Sequence, residues 1–554
     1  MPNLIIDGQK ISVPDGTTVI QAAELLGIFI PRYCYHPGLS IAGNCRICLV
    51  EVEKNFKLQI ACNTPAVEGM VIHTKSPKVA NGRRAALEFL LANHPLDCPV
   101  CDQSGECDLQ NFYMQYGLYD PRFEETKVKK RKAVILGPHV ILDQERCILC
   151  SRCVRFTDEI TKTGEFGIFK RGDRAEVNLY PGKVLDNPYS ANVVDICPVG
   201  ALTERNFRFK ARVWYLSSAP SVCNGCSQGC NINLHFVLDR PHLNNGARVL
   251  RVKPRYNPNV NDWWICDYGR YGLGPIDQKR LIGVRNRGQE SSWDQAFRAI
   301  APILTKASQG RDDSSIGVIF SAQLTTEELF LLRKIFVGAL KARVSAPVPS
   351  IGPADDFLIK ADKNPNTLGA DLLGLTDGPA AQEIIDEALG GKLNALWVFG
   401  VDLAALCPIE KIRELSQKLE LFVFQGPNEN QTAALAQWVL PCAAYVEKDG
   451  TFINCHGRAQ RIGKAFSPPG DSREDSRILL EIERVLGRPR TESSSHPFSQ
   501  SFKDAGPLEA GRFPQEIFLE LARTTKPLQG LTYETIGSQG ADIAIKKSKN
   551  LAAP

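Results

Sequence analysis

Residues 42–52 read Ala42-Gly43-Asn44-Cys45-Arg46-Ile47-Cys48-Leu49-Val50-Glu51-Val52. Cys34 lies upstream of this stretch and Ala61-Cys62-Asn63-Thr64-Pro65 lies downstream. Cys34, Cys45, Cys48 and Cys62 are thus separated by 10, 2 and 13 residues, three in a loop and one on a later segment. From Leu49 to Glu53 apolar and acidic residues alternate, which predicts a strand immediately after the loop. Working back, Leu4–Val13 holds two short β-rich runs flanking Asp7-Gly8, a hairpin signal. Val19, Ala22, Ala23 and Leu26 then recur at helical spacing behind Thr17 or Thr18 as cap. Hairpin, helix and further strands within 77 residues predict a small α+β domain with cysteines in a Gly-containing loop.

The rest of the chain frames that domain. At 554 residues it is long enough for several domains, and 43% apolar with 23% charged residues is ordinary for a folded protein. A net charge of +5, with no basic run longer than Lys127–Lys132, gives no support to a nucleic-acid or anionic-membrane footprint. No apolar run approaches a bilayer span, and Met1-Pro2-Asn3-Leu4-Ile5 has no signal-peptide pattern, so a soluble, non-exported chain is expected. Of 18 cysteines, 15 fall in the first 266 residues. In a reducing compartment such clusters point to metal ligation rather than to disulfides.

Those 15 cysteines and one histidine form four groups. The first, already quoted, suits a two-iron cluster of plant-ferredoxin type, with a longer first gap; zinc also accepts four thiolates. The second is His94, Cys98, Cys101 and Cys107, for which spacing leaves zinc and iron–sulfur equally open. Here the helix predicted over Lys78–Ala92 stops at His94-Pro95, because proline cannot continue it, which turns His94 toward the following loop. The third group is Cys147, Cys150 and Cys153 with the remote Cys197-Pro198, the bacterial-ferredoxin pattern for a four-iron cubane. The fourth is Cys223, Cys226, Cys230 and Cys266, four thiolates that suit a cubane or zinc. Cys407, Cys442 and Cys455 share no ligand spacing and read as ordinary small residues.

Residues 117–135 read as a charged connector and 212–275 as strand- and turn-rich. After about residue 285, β-rich runs (Ser315–Phe320, Ala395–Val401, Leu421–Gln425) alternate with helices (Thr326–Leu340, Ala380–Leu389), which predicts a layered α/β domain with a mainly parallel sheet. Ser467–Arg473 and Arg488–Arg512 are rich in Pro, Ser, Gly and charge. Neither a Gly-x-Gly-x-x-Gly fingerprint nor a phosphate loop, nucleophile elbow or His-Glu-x-x-His is present. Redox centres without a substrate site describe an electron conduit.

In this order, and with His94-Pro95-Leu96-Asp97-Cys98-Pro99-Val100-Cys101-Asp102 beside the stretches above, the groups resemble the large iron–sulfur subunit of respiratory complex I, the G-subunit family of bacterial NADH:quinone oxidoreductase. Asn366-Thr367-Leu368-Gly369-Ala370, Val446–Asn454 and Gly457-Arg458-Ala459-Gln460 are similar to segments of the molybdopterin oxidoreductases. The resemblance implies a multidomain α+β and α/β chain. It implies a plant-ferredoxin-like β-grasp domain with a 2Fe-2S cluster (1–77), a 4Fe-4S segment ligated by one histidine and three cysteines, with a connector (78–135), and a bacterial-ferredoxin-like 4Fe-4S domain (136–215). A 4Fe-4S domain of molybdopterin-oxidoreductase type (216–275), a truncated, degenerate molybdopterin-oxidoreductase-like α/β domain (276–490) and a linker and tail (491–554) complete it. No molybdopterin is expected, because too little chain follows residue 490 to close a pocket.

By the same resemblance, electrons arrive from a partner subunit that carries FMN and oxidises NADH, and enter at the Cys34 group. They pass to the Cys147 group, then the His94 group, and leave for a ferredoxin-like two-cluster subunit on the way to quinone. The Cys223 group lies off that path and points to a bacterial source. Other peripheral-arm subunits are implied partners, nucleic acid is not, and the membrane is reached only through partners, on the cytoplasmic face of the bacterial inner membrane. Three rivals predict different features: a molybdenum or tungsten enzyme needs a complete cofactor domain, an iron-only hydrogenase adjacent cysteines, and a zinc scaffold a colourless protein.

Overall fold

The computed structural model describes residues 1–118, 120, 122–308, 314–487 and 513–544. It divides into two compact units, Met1–Leu216 and Ser217–Pro554.

In the first unit the predicted hairpin forms between Asn3–Ile6 and Gln9–Ser12. Asp7 (φ 48°) and Gly8 (φ 83°) both take the left-handed backbone that a two-residue turn demands. Asn3–Ile6 also pairs in parallel with Met70–His73, and Leu49–Val52 and Gln59–Ile60 complete a five-stranded sheet. The helix Val19–Leu25 begins at Thr18, whose amide donates to Gln21 Oε1 at 2.9 Å. It buries Val19, Ile20, Ala22 and Ala23 against Leu4, Ile6, Val50 and Ile72. Each large apolar side chain so buried contributes about 1.5–3 kcal/mol.

The helix Pro77–Asn93 is capped by Ser76 Oγ, which accepts from the Val79 amide, and it ends where His94 turns extended (φ −66°, ψ 131°) ahead of Pro95. A further helix, Asp108–Tyr116, starts at Cys107. Beyond the connector, Leu202–Glu204, Val140–Leu142 and Val134–Ile135 make a three-stranded sheet. A short helix, Arg152–Arg155, runs into the wide turn Phe156–Ile160, and Asn192–Ile196 ends at Cys197.

The second unit opens with three antiparallel strands, Ser217–Val222, Asn231–Phe236 and Val249–Pro254. A seven-stranded sheet follows, in the order Gln289–Glu290, Arg285–Asn286, Trp438–Pro441, Leu421–Gly426, Ala395–Phe399, Ile316–Phe320 and Arg343–Val344. Its last five strands are parallel, as the alternation of runs predicts. The central strands are buried along their whole length, as a sheet covered by helices on both faces requires.

Two expectations need correction. The helix expected over Thr326–Leu340 is an α-helix only over Thr326–Leu332; Arg333–Ala339 widens, so that the Leu340 amide reaches back to the Ile335 carbonyl. The linker and tail expected over 491–554 fails for residues 513–544. Phe513–Thr524 is a helix whose Ile517, Phe518 and Leu521 join the main core, and Ala541–Asp542 pairs with Arg458–Ile462. The remainder of that segment, with Arg488–Arg512, lies outside the described residues. Among the described residues no helix is long and apolar enough to cross a membrane.

Candidate metal centres

Three of the four groups lie in the first unit. In the first group the sulfurs lie close enough to affect one another: the neighbouring Cys45 and Cys62 thiols pull the pKa of Cys34 down, and Cys62 does the same to Cys48. The Cys34 amide also approaches Cys45 Sγ at 3.5 Å. Arg46 (φ 55°) sits in the left-handed region between Cys45 and Cys48, and Leu149 (φ 55°) and Ser151 (φ 61°) flank Cys150 in the same way. Both ligand loops thus hold non-glycine residues in strained backbone, which turns amides inward. The Leu149 amide faces Cys147 Sγ at 3.4 Å.

The third group surrounds a cavity. Cys147, Cys150, Cys153 and Cys197 line it together with apolar walls that include Leu142, Val177 and Ala201. Burial pushes the Cys147 and Cys197 thiols up to about 12 and raises Cys153 well above its ordinary value. Thiols that resist ionisation until a cation arrives, spread around a shared space, fit a polynuclear centre. Among the described residues, no group of three or more His, Cys, Asp or Glu side chains meets the geometry of a single bound ion.

In the second group Cys101 and Cys107 are buried and Cys98 is exposed. Cys101 feels the charge of Cys98, and Cys107 that of Cys101. His94 Nδ1 is buried without a hydrogen-bond partner, and burial, with Arg146 and Lys127 nearby, holds the imidazole down at about 4. A neutral imidazole with a free nitrogen is the form a metal takes.

Three contacts join these ligand loops. Arg155 Nη2 donates to the Cys34 carbonyl at 2.6 Å and to the Cys150 carbonyl at 3.3 Å. Arg146, next to Cys147, pairs with Asp97, next to Cys98, at 3.0 Å. The Asp108 amide, next to Cys107, donates to the Pro198 carbonyl at 3.1 Å. None of Arg146, Arg155 or Asp97 stands out in the sequence, because their partners are distant in the chain.

The fourth group, in the second unit, is also brought together. The Cys223 amide donates to the Cys230 carbonyl at 2.8 Å, and all four thiols interact electrostatically. The Gly225 and Gly269 amides face Cys223 and Cys266 sulfurs at 3.4 Å each. Cys407 and Cys442 are buried away from any ligand set; Cys455 is half-buried, within electrostatic reach of Cys226, and its amide donates to the Ser227 carbonyl at 2.9 Å.

In the α/β body the motif residues bond to the protein itself. Glu447 accepts from Arg248 at 2.6 Å and Arg280 at 2.7 Å, and Lys448 bridges Glu328 at 2.8 Å and Asp475 at 3.1 Å. Asn366 donates to the Leu324 carbonyl, and Gln460 to the Gly229 carbonyl, each at 2.9 Å.

Against known families, residues 3–77 match the 2Fe-2S iron-sulfur cluster binding domains, 83–122 the NADH-ubiquinone oxidoreductase-G iron-sulfur binding region, and 137–203 the ferredoxin-like domain of NADH-quinone oxidoreductase subunit 3. Residues 360–485 match molybdopterin oxidoreductase. The G subunit of the NADH-quinone oxidoreductase of Rickettsia bellii is 31% identical, with all of this chain and 97% of that protein aligned. The NADH-ubiquinone oxidoreductase 75 kDa subunit of Reclinomonas americana is 30% identical over 88% of this chain and 89% of its own length. A chain from the NAD+-reducing NiFe-hydrogenase in the H2-reduced state shares 32% identity over 38% of this chain and 91% of its own, at a TM-score of 0.35, too low to speak to the fold.

Proposed function

This chain belongs to the G-subunit family of NADH-quinone oxidoreductase, and we propose from that membership that it is the electron-carrying iron–sulfur subunit of such a complex, with no substrate site of its own. In this reading Cys34, Cys45, Cys48 and Cys62 hold a 2Fe-2S centre. His94, Cys98, Cys101 and Cys107 hold a 4Fe-4S centre, as do Cys147, Cys150, Cys153 and Cys197, and Cys223, Cys226, Cys230 and Cys266. Such centres, when bound, supply reversible one-electron transfer.

What the chain's own residues contribute follows from their chemistry. The inward amides at Cys34, Leu149, Gly225 and Gly269 stabilise thiolate charge through N–H···S contacts. The apolar walls around the Cys147 group exclude water, which keeps solvent reorganisation small. His94 replaces a thiolate with a neutral ligand and so lowers the negative charge of its set. The single observation that carries the reading is that the three ligand loops of the first unit are held against one another: first with third through Arg155, third with second through Arg146–Asp97 and Asp108–Pro198, and first with second through Tyr33, whose ring lies 5.2 Å from that of Phe112. A relay needs its carriers close together.

The α/β body is proposed as a scaffold without molybdopterin, because the residues that resemble the cofactor-binding family are engaged with their own chain. NAD and FMN then belong to a neighbouring subunit, and a ferredoxin-like two-cluster subunit receives the electrons. Attachment to the membrane is through partner subunits, on the cytoplasmic face in a bacterium. The test is Cys150→Ala in the assembled complex. The expected result is loss of NADH-to-quinone transfer with NADH oxidation by ferricyanide retained; wild-type quinone reduction in a fully assembled variant contradicts the assignment.

A further inference from the structure

Arg155 stands at the junction of two ligand loops that are far apart in sequence. Its Nη2 nitrogen is shared between the carbonyl of Cys34 at 2.6 Å and that of Cys150 at 3.3 Å. Nη1 donates to the Ser40 carbonyl, and Nε to Ser151 Oγ at 3.2 Å. Three turns of backbone, 34, 40 and 150–151, are therefore held by one guanidinium. A planar fork with fixed donor directions can do this; a lysine ammonium on a flexible stem cannot hold the same set.

The neighbouring residues reinforce the same seam. Arg152, one helical turn before, donates from Nη1 to the Ile196 carbonyl at 2.9 Å and from Nη2 to the Tyr35 carbonyl at 2.7 Å. Asn44 Nδ2 reaches the Leu149 carbonyl at 3.1 Å, and the Ser40 amide donates to Glu159 Oε2 at 2.8 Å.

We propose that Arg155 is a positioning residue that fixes the separation between the centres at the Cys34 and Cys147 groups and supplies a hydrogen-bonded backbone bridge from Cys34 to Cys150. The inference rests on the electron-carrier reading above. The path runs from the Cys34 side chain through its carbonyl to Nη2, and from Nη2 through the Cys150 carbonyl to that side chain. One nitrogen thus replaces a through-space gap with two hydrogen bonds. No bond is broken in the transfer, and the bridge itself is neither oxidised nor reduced.

The experiment compares Arg155→Lys and Arg155→Met with wild type in the assembled complex. Lysine keeps the charge and loses the fork; methionine keeps an unbranched stem and loses every donor. The readouts are the magnetic dipolar coupling between the two reduced centres, by pulsed EPR, and the rate of inter-centre transfer after flash photoreduction. The expected result in both variants is both centres present with wild-type spin counts, loss of the single well-defined coupling, and slower transfer. Unchanged coupling and unchanged rate in both variants overturn the inference while leaving the carrier reading intact. Absence of both signals from the wild type overturns the carrier reading and this inference together. If the methionine variant fails to assemble, the lysine variant alone decides.

Discussion

Gly200 lies against the sulfur of Cys101: a Cβ placed on it would stand 2.2 Å from Cys101 Sγ and 3.1 Å from Gln103 Cβ. The segment that carries the third group's remote cysteine therefore packs on a candidate ligand of the second group. Gly200 is needed for space, not for an unusual backbone angle. Gly200→Ala forces Cys101 aside, with overpacking of about 1–3 kcal/mol. EPR of the reduced variant is expected to lose the four-iron signal of the His94 group and to retain the others; four unaltered signals would contradict the placement.

Glu447 is fully buried between Arg248 and Arg280, with its Oε2 also accepting from the Ala444 amide at 2.7 Å. Glu447→Gln leaves two guanidiniums facing each other without their shared counter-charge. Breaking one side of a buried ionic set costs about 3–5 kcal/mol. Denaturant unfolding followed by circular dichroism should show that loss; a change below about 1 kcal/mol would mean that the network adds little.

His36 lies two residues after Cys34 in the first group's loop, and burial, with Arg152, Arg155 and Arg32 nearby, pulls it from 6.5 to about 3. A depressed imidazole is neutral in the folded state. Its contribution is intact above the unfolded value of 6.5 and is lost as pH falls toward the folded value of about 3. Between pH 7 and 5 that amounts to about 2 kcal/mol. His36→Asn keeps an acceptor for the Gly38 amide, which donates to His36 Nδ1 at 3.2 Å, and removes the titration. The midpoint of acid bleaching of the two-iron absorption is expected to move to lower pH; an unmoved midpoint would place the acid sensitivity elsewhere.

Cys226 belongs to the group that sits in the second unit, whereas the other three groups lie in the first. Cys226→Ala is expected to lose one four-iron signal and some thermal stability while NADH-to-quinone turnover of the assembled complex persists. The Ser227 amide bonds the Asp362 carbonyl and the Ser227 carbonyl accepts from Cys455, both at 2.9 Å, so the loop is tied into the α/β body and its damage is local. Abolished turnover in an assembled variant would place this group on the main path.

Much of this was legible because ligand sets and turns are local. Cysteine spacing put forward fifteen of the sixteen candidate ligands, with His94 beside them, Asp7-Gly8 marked the hairpin, Pro95 ended the helix before His94, and β-rich runs alternating with helices marked the parallel sheet. What escaped was long-range. Arg146, Arg152, Arg155 and Gly200 look ordinary in sequence, since their partners lie 44 to 121 residues away or come from another ligand loop. The helix Phe513–Thr524 follows a stretch rich in Ser, Pro and charge, whose texture masked the amphipathic face that Ile517, Phe518 and Leu521 bury. Likewise, the widened turn at Arg333–Ala339 keeps helical spacing in its apolar residues, so periodicity alone reads it as continuous helix.

Whether inorganic sulfide bridges the metals held by these thiols is answered most directly by counting iron and acid-labile sulfide in the anaerobically purified chain, with low-temperature EPR after dithionite reduction. One two-iron and three four-iron centres predict about fourteen irons and as many sulfides per chain, with the reduced signals of both cluster types. Stoichiometric zinc with no labile sulfide, and no signal on reduction, would contradict the account.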